Sequence, residues 1–433
     1  MKLRHFITGS LPVALLVALC WLPVSFSMRP ALAQSAGSTL SLKDRQNVFN
    51  RVWRLLNERY YDPQLHGVNW RAARDRYQSR IEAVADDEAF YELLEQMVAE
   101  LRDAHTHVRS PFNRSLRDRT QGISTGINVY EVEGQPVVTS ITAEPEIIRQ
   151  GVAPGMVLLA IDRQPVAARM AAVRKAIGVS SSERARRVLT YGKLLDGPPE
   201  SSVTLTLASD SDVAAAPVLV TAHRRVVSTL PQVQARRLTS GFGYIHLSNW
   251  KPPAAELFRT ALEQFSNAPG LIIDLRDNGG GDPKVVLSIG SLLLARRTSF
   301  GIFTRRSGRP VELSAGREGS GLYDGPLVIL VNEASGSGSE IFAAALQESA
   351  RAIIIGQQTC GCVLAADREK LPGGGELSYS VYGYLTARGR RLEGSGVLPD
   401  RLVPLKLSDL RERRDAALLE AGKVLQQRLS ARQ

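Results

Sequence analysis

Cysteine is scarce in this 433-residue chain: three occur, and Cys20 falls within an N-terminal apolar run. The other two, Cys360 and Cys362, are too few for a disulfide framework, leaving one tight local bridge or a pair of buried thiols as the alternatives. No histidine or further cysteine stands beside this Cys-x-Cys to complete a zinc ligand set, so neither a metal nor a cofactor is expected. Beyond the N-terminus no run is apolar enough to cross a membrane. Acidic residues are outnumbered, 43 against 54 basic, but the excess is scattered. Arg224-Arg225 is short, and the clusters Arg184 to Arg187 and Arg411 to Arg414 are mixed with Glu183 and Glu412, as on solvated helix faces. Nucleic acid is therefore not an expected partner; weak attraction to an anionic membrane surface or cell wall is compatible with the charge.

The hydrophobic share of 44% is that of a soluble globular protein, and the length suits two or three domains. The N-terminus has a basic start (Lys2, Arg4), an apolar run from Leu11 to Phe26 broken by Pro12 and Pro23, and Ala31-Leu32-Ala33 before Gln34. Together these form a cleavable secretory signal over residues 1–33, predicting export to a periplasm or the cell exterior. An uncleaved anchor is the competing reading. Lipidation at Cys20 is disfavoured by Leu19, where a small residue is needed.

The most informative segment is Val331-Asn332-Glu333-Ala334-Ser335-Gly336-Ser337-Gly338-Ser339-Glu340-Ile341-Phe342. An apolar strand from Pro326 runs through small residues directly into a helix. A serine in such a turn is a candidate nucleophile, because the glycines permit a sharp bend and the following helix offers N–H groups to a developing oxyanion. By itself the pattern is equally that of a turn and helix cap. Two further segments accompany it: Leu271-Ile272-Ile273-Asp274-Leu275-Arg276-Asp277-Asn278-Gly279-Gly280-Gly281, a strand ending in a glycine loop, and Arg391-Leu392-Glu393-Gly394-Ser395-Gly396-Val397-Leu398-Pro399-Asp400.

In this order and spacing the three segments resemble the core of the C-terminal processing (tail-specific) peptidases and their tricorn-like relatives, serine peptidases with a crotonase-like fold. The resemblance implies Ser337 as nucleophile, Ser335 as part of the turn and Ser339 as a helix cap. It implies an oxyanion hole from the N–H of Gly338 with one from Gly280 or Gly281. The lysine of the tail-specific branch would stand in the turn Thr359-Cys360-Gly361-Cys362, where this chain has Cys362, so a Ser-Lys dyad does not transfer. Lys370 lies in a charge-rich stretch (Asp367, Arg368, Glu369) read as a loop without the dry pocket a lysine base requires. The tricorn-like branch uses Ser, His and Glu, which implies His105 as the base and Glu393 as its orienting partner, with His107 the rival base. Asp274 with Arg276 reads as a structural ion pair, and Asp400 as a turn former.

Leu42 to Leu101 has helical periodicity, broken at Asp62-Pro63 and Gly67, and resembles the N-terminal region of the tricorn-like branch. Short alternating strands follow: Gly126 to Val129, Pro136 to Ile141, Val157 to Ile161, Val203 to Leu207 and Val218 to His223. The segment Gly151 to Asp162 resembles that of a PDZ domain, with a helical insertion at 167–200 and Met156 in place of the usual aspartate. Ser209 to Ala216 reads as a surface loop. From Gly241 strands and helices alternate, predicting a parallel α/β core, and Ser408 to Leu429 reads as one terminal helix capped by Ser408 and Asp409. The expected organisation is a signal (1–33), an N-terminal helical region (38–115), a PDZ-like β-rich domain (116–228), a crotonase-like α/β catalytic core (229–405) and a C-terminal helix (406–433). The implied function is an exported serine endopeptidase acting on unstructured or C-terminal protein segments. The alternative is a non-catalytic peptide- or ligand-binding protein that retains the fold.

Overall fold

The computed structural model describes residues 40–142, 145–209, 216–316 and 321–431. The expected signal lies outside the described residues, as does most of the loop expected at Ser209 to Ala216.

Three helices open the described chain, Leu42–Arg59, Trp70–Gln78 and Asp87–Ala99, with Ser41, Asn69 and Asp86 accepting a first-turn N–H at their N-termini. Apolar residues at three- and four-residue spacing put Val48, Val52, Leu55, Leu56, Phe90, Leu94 and Met97 on one buried side. That side also receives Val108, Leu377 and Tyr379. The helices are thereby fastened to the strand His107–Arg109, which pairs antiparallel with Glu376–Leu385.

The middle of the chain forms an antiparallel sheet of Ile127–Val132, Gln135–Ile141, Val157–Ile161, Ser202–Ala208 and Val218–His223 in that order. Helices Val166–Ile177 and Glu183–Gly192 fall, to within one residue, in the stretch 167–200 expected to be helical.

The central sheet orders its strands Val233–Arg237, Gly243–Leu247, Leu271–Asp274, Leu327–Val331, Ile353–Gly356 and Arg401–Leu402. All but the first pairing are parallel, as the alternation of strands and helices predicts. Burial on both faces explains their unbroken apolar character. Ile245, Ile273, Ile329 and Ile354 pack with helices Ala254–Glu263, Pro283–Leu293 and Gly338–Glu348. Tyr244, Ile272, Val328, Leu330 and Ile355 pack on helix Ala416–Ser430. Each fully buried Ile or Leu contributes about 1.5–3 kcal/mol, so this double-sided core fixes the strand ends from which the site is built.

Two features depart from expectation. The charged stretch near Asp367 is a strand, Ala365–Lys370, in a second, antiparallel sheet with His107–Arg109, Glu376–Leu385, Thr298–Arg305 and Val311–Ala315. The C-terminal helix is two, Leu407–Arg411 and Ala416–Ser430, and Asp415 caps the second by accepting the Leu418 N–H; neither Ser408 nor Asp409 caps it. The break contains Arg413 in a left-handed conformation (φ 53°), and Arg276, which bonds Asp274 on the sheet, holds Asp415 at the second helix start. Among the described residues no helix is long and apolar enough to cross a membrane.

Candidate active site

The strand Leu327–Val331 ends in a turn closed by Ser335, whose hydroxyl donates to the Leu275 carbonyl at 2.7 Å and whose own N–H reaches the Asn332 carbonyl. Ser339 does not cap the helix. Inside its first turn, the hydroxyl donates to the Asn278 carbonyl and accepts from Trp250 Nε1, each at 2.8 Å. Ser337 occupies the N-cap position with φ 52° and ψ −113°, a region non-glycine residues rarely adopt. Such a conformation costs about 1–3 kcal/mol and persists only where surroundings enforce it. Here the Ser337 N–H is held by both the Cys362 carbonyl (2.9 Å) and Glu340 Oε2 (3.0 Å).

The glycine loop lies directly against this elbow. A Cβ on Gly280 (φ +101°) would fall 2.6 Å from the Ser337 Cβ and 2.8 Å from the Gly338 nitrogen, and one on Gly281 (φ +157°) would meet the Trp250 carbonyl oxygen at 2.5 Å. Only glycine fits at either position. The Gly280 N–H is already committed to Asn278 Oδ1 at 3.0 Å. The N–H groups of Gly281 and Gly338 have no acceptor among the described residues. Of the two loop glycines expected to donate, Gly281 is the free one.

His105 sits in a turn organised by Asp103, which accepts the His105 N–H at 2.8 Å, the Thr106 hydroxyl at 2.5 Å and the Tyr60 hydroxyl at 3.1 Å. Burial draws the imidazole pKa below its usual value, opposed by the Asp103 charge, and Nδ1 is buried without a partner. Glu393 accepts the Val363 N–H on Oε2 at 2.8 Å, while Oε1 is buried and unpartnered. Burial first, then the Asp103 charge, push its carboxyl up to about 8, against the nearby Ser181 side chain and the Val363 hydrogen bond. No hydrogen bond joins His105 to Ser337 or to Glu393 among the described residues.

What the three share is the segment 360–363. Cys360 and Cys362 are disulfide-bonded. Ala104 packs on the pair, a Cβ on Gly336 would lie 3.0 Å from Cys362 Sγ, and Gly394 N–H donates to the Gly361 carbonyl at 2.8 Å. His107, the rival base, lies on the strand His107–Arg109 with Nε2 buried and unpartnered; burial and then Arg109 hold its pKa well below the usual value. Lys370 is exposed at the end of its strand, opposite Glu376. Among the described residues no group of three or more His, Cys, Asp or Glu is arranged to hold a metal ion.

Comparison with known proteins decides what this elbow belongs to. Residues 241–403 match the peptidase family S41 model, and residues 41–99 match that of the tricorn protease C1 domain. The chain carries a peptidase family S41 domain. It is thus a serine-type peptidase, a hydrolase. This S41 peptidase is 28% identical over 386 residues to the carboxyl-terminal-processing protease of Synechocystis sp., covering 87% of this chain and 84% of that protein. It is 28% identical to carboxyl-terminal-processing peptidase 2 of Arabidopsis thaliana chloroplasts, over 84% of this chain and 70% of that one. A putative tricorn protease homolog 2 of Streptomyces coelicolor is 26% identical over 82% of this chain and 30% of its own length. In fold it resembles the photosystem II D1 C-terminal processing protease (TM-score 0.59, 22% identity, 88% of this chain and 97% of that one) and mature CPAF (TM-score 0.66, 15% identity, 88% and 97%).

Sequence reasoning passed over Glu340 of this S41 peptidase. Its carboxylate is fully buried and accepts four hydrogen bonds: the Thr359 hydroxyl (2.5 Å) and Gly361 N–H (2.7 Å) on Oε1, the Cys362 N–H and Ser337 N–H (both 3.0 Å) on Oε2. Burial pushes its pKa up and these donors push it down. Thr359 Oγ1 already accepts from the Val397 N–H, leaving its proton for Glu340. The group pins the elbow to the 359–362 turn. The Ser-x-x-Glu spacing of 337–340 was the available signal. Asp103 was missed as well, and nothing in its spacing marks it.

Proposed function

We propose that this chain is an exported serine endopeptidase that hydrolyses peptide bonds in unstructured or C-terminal protein segments, with Ser337 as nucleophile, His105 as base and Glu393 as the partner of His105. One observation carries this reading: Ser337 is held in a strained strand-to-helix elbow beside two unbonded N–H groups, those of Gly338 and Gly281. Backbone strain of this kind clusters at functional sites, and a presented hydroxyl beside paired donors suits acyl transfer.

In the proposed mechanism Ser337 Oγ attacks the scissile carbonyl carbon as its proton passes to His105 Nε2. The carbonyl oxygen becomes an oxyanion between the Gly338 and Gly281 N–H groups. Collapse expels the amine, which takes the proton from His105 and leaves an acyl-enzyme. Water, deprotonated by His105, then releases the acid and restores Ser337. Depression of the imidazole pKa favours this role by keeping His105 neutral at physiological pH. Its Nδ1 and Glu393 Oε1, both buried and unpartnered, are the two atoms a working triad would join, and catalytic hydrogen bonds often close only around substrate. Once His105 is protonated, its charge would draw the raised Glu393 pKa down and favour the carboxylate.

Export rests on residues 1–33. A crotonase-like reading of 229–405 is supported by the parallel sheet and its helices, and a PDZ-like reading of 116–228 by the antiparallel sheet. The names of the carboxyl-terminal-processing relatives supply the C-terminal substrate class. The test is cleavage of a disordered polypeptide by the mature chain and by Ser337→Ala. Activity in the first and none in the folded second is expected; equal activity in both would overturn the proposal.

A further inference from the structure

The turn 360–362 is bound to its surroundings through every backbone polar group it has. Cys360 N–H donates to the Ser335 carbonyl at 3.1 Å, and the Cys360 carbonyl accepts the Ser182 hydroxyl at 2.9 Å. Gly361 N–H donates to Glu340, and its carbonyl accepts the Gly394 N–H. Cys362 N–H donates to Glu340 as well, and its carbonyl accepts the Ser337 N–H. Residues 358–364 lie in neither helix nor strand, so no regular element shapes this turn. The Cys360–Cys362 disulfide is the covalent restraint that closes it.

The bridged cysteines stand only two positions apart. So short a span makes a poor staple for the whole chain, because the entropy a disulfide removes from the unfolded state grows with the loop it closes. Its effect is local. A Cβ on Gly336 would lie 3.0 Å from Cys362 Sγ and 3.5 Å from Cys360 Cβ, and one on Gly361 (φ +74°) would lie 2.9 Å from the Gly394 carbonyl carbon. Ala104 and Ala185 pack on the two cysteines. The bridged turn therefore touches the residue before Ser337, the residue before His105 and the residue after Glu393. Two thiols, no longer bonded, take more room than the bridge they replace, so reduction presses these neighbours apart in a packed setting.

We propose that this disulfide is a redox lock on the candidate site: the bridge holds the segments of Ser337, His105 and Glu393 in mutual register, and its reduction by a dithiol reversibly disables catalysis. The inference rests on the peptidase reading above and adds its regulation. One thiolate of the dithiol attacks a sulfur of the bridge, forming a mixed disulfide and expelling the other cysteine as thiolate. The reductant's second thiol then displaces the first cysteine. Two electrons pass to the protein, the dithiol leaves as its own disulfide, and its two protons end on Cys360 and Cys362. With export as proposed, the chain stays idle among reducing thiols and becomes competent where disulfides persist.

Cys360 and Cys362 are 4% and 8% exposed, so the probe is a small dithiol, dithiothreitol. The mature protein is assayed on a quenched fluorescent peptide in its oxidised and reduced forms, with thiols counted by alkylation and mass spectrometry. Reduced protein with two alkylated cysteines and an unchanged circular dichroism spectrum should lose ~10²-fold in kcat, the cost of a shift near 1 Å in a reacting group, and should recover on reoxidation. The double variant Cys360→Ser, Cys362→Ser should stay at the reduced level in both conditions; the wild-type comparison stands without it if that variant does not fold. The lock is overturned by a reduced protein as active as the oxidised one, by loss of activity only together with loss of fold, or by a bridge that dithiothreitol leaves intact in the folded chain. A folded double variant that keeps the oxidised kcat or still responds to the dithiol would overturn it too. Fluorophosphonate labelling of Ser337 separates the two ideas: labelling at one rate in both redox states refutes only the lock, whereas neither labelling nor cleavage in the oxidised protein refutes the peptidase reading and the lock with it.

Discussion

Replacing Gly280 by alanine tests whether the glycine loop sets the position of Ser337. The added Cβ would lie 2.6 Å from the Ser337 Cβ and 2.8 Å from the Gly338 nitrogen. Ordinary contact begins at 3.4 Å, so the elbow or the loop must yield by roughly 0.8 Å. Alanine at φ +101° adds about 1–2 kcal/mol of backbone strain, and overpacking adds about 1–3 kcal/mol. The expected loss of stability is therefore about 2–5 kcal/mol, read as a lowered denaturation midpoint at unchanged slope. A shift near 1 Å in a reacting group costs ~10²-fold in rate, so kcat and the rate of fluorophosphonate labelling should both fall by about that factor in the protein that remains folded. Gly279→Ala is the control, because a Cβ there meets nothing within 4 Å. It should stay within about 0.5 kcal/mol of wild type and keep its activity. Wild-type turnover in Gly280→Ala would refute the reasoning.

Glu340→Gln puts an amide against two of four buried donors and should cost about 3–5 kcal/mol by chemical denaturation, since hydrogen bonds to a charged group contribute about 1.5–3 kcal/mol each; unchanged stability would remove Glu340 as the elbow's anchor. His105→Ala should lower kcat by ~10⁴-fold or more, whereas His107→Ala should retain most activity, and the reverse ranking in steady-state assays would make His107 the base. Because burial lowers the His105 pKa, the acid limb of kcat/KM should fall below the usual value near 6.5, and a limb above it would contradict the buried site. Folded Glu393, pushed up to about 8, keeps a proton that the unfolded chain has released above its ordinary carboxyl pKa of about 4.5. Stability contributed by this group is thus present below that value and is lost as pH rises through 8. Thermal midpoints should drop between pH 6 and 9 by more in wild type than in Glu393→Gln, and parallel curves would count against the raised pKa.

The parallel strands were legible because burial on both faces demands unbroken apolar runs such as Leu327 to Val331. The second sheet was not. Ala365–Lys370 carries Asp367, Arg368, Glu369 and Lys370, and its pairing with Glu376–Leu385, rather than any apolar pattern of its own, makes it a strand. The single C-terminal helix expected from periodicity is interrupted at Arg413 (φ 53°) and restarts at Asp415, which a long-range ion pair to Arg276 holds and which local pattern cannot register. The strand-to-helix turn around Ser337 was legible because an elbow needs small residues in sequence. Gly280 and Gly281 were told apart only in space, by the bond from Gly280 to Asn278. The two cysteines, open between bridge and thiols in the sequence, are bridged in the turn whose Cys362 carbonyl accepts the Ser337 N–H.

Reaction of the mature protein with a fluorophosphonate, followed by mass spectrometry of its peptides, tests the central claim most directly. A strained N-cap hydroxyl beside two free N–H donors should give one adduct on Ser337, and Ser337→Ala should give none. An adduct on Ser335 or Ser339, or an active preparation that does not react, would contradict the account.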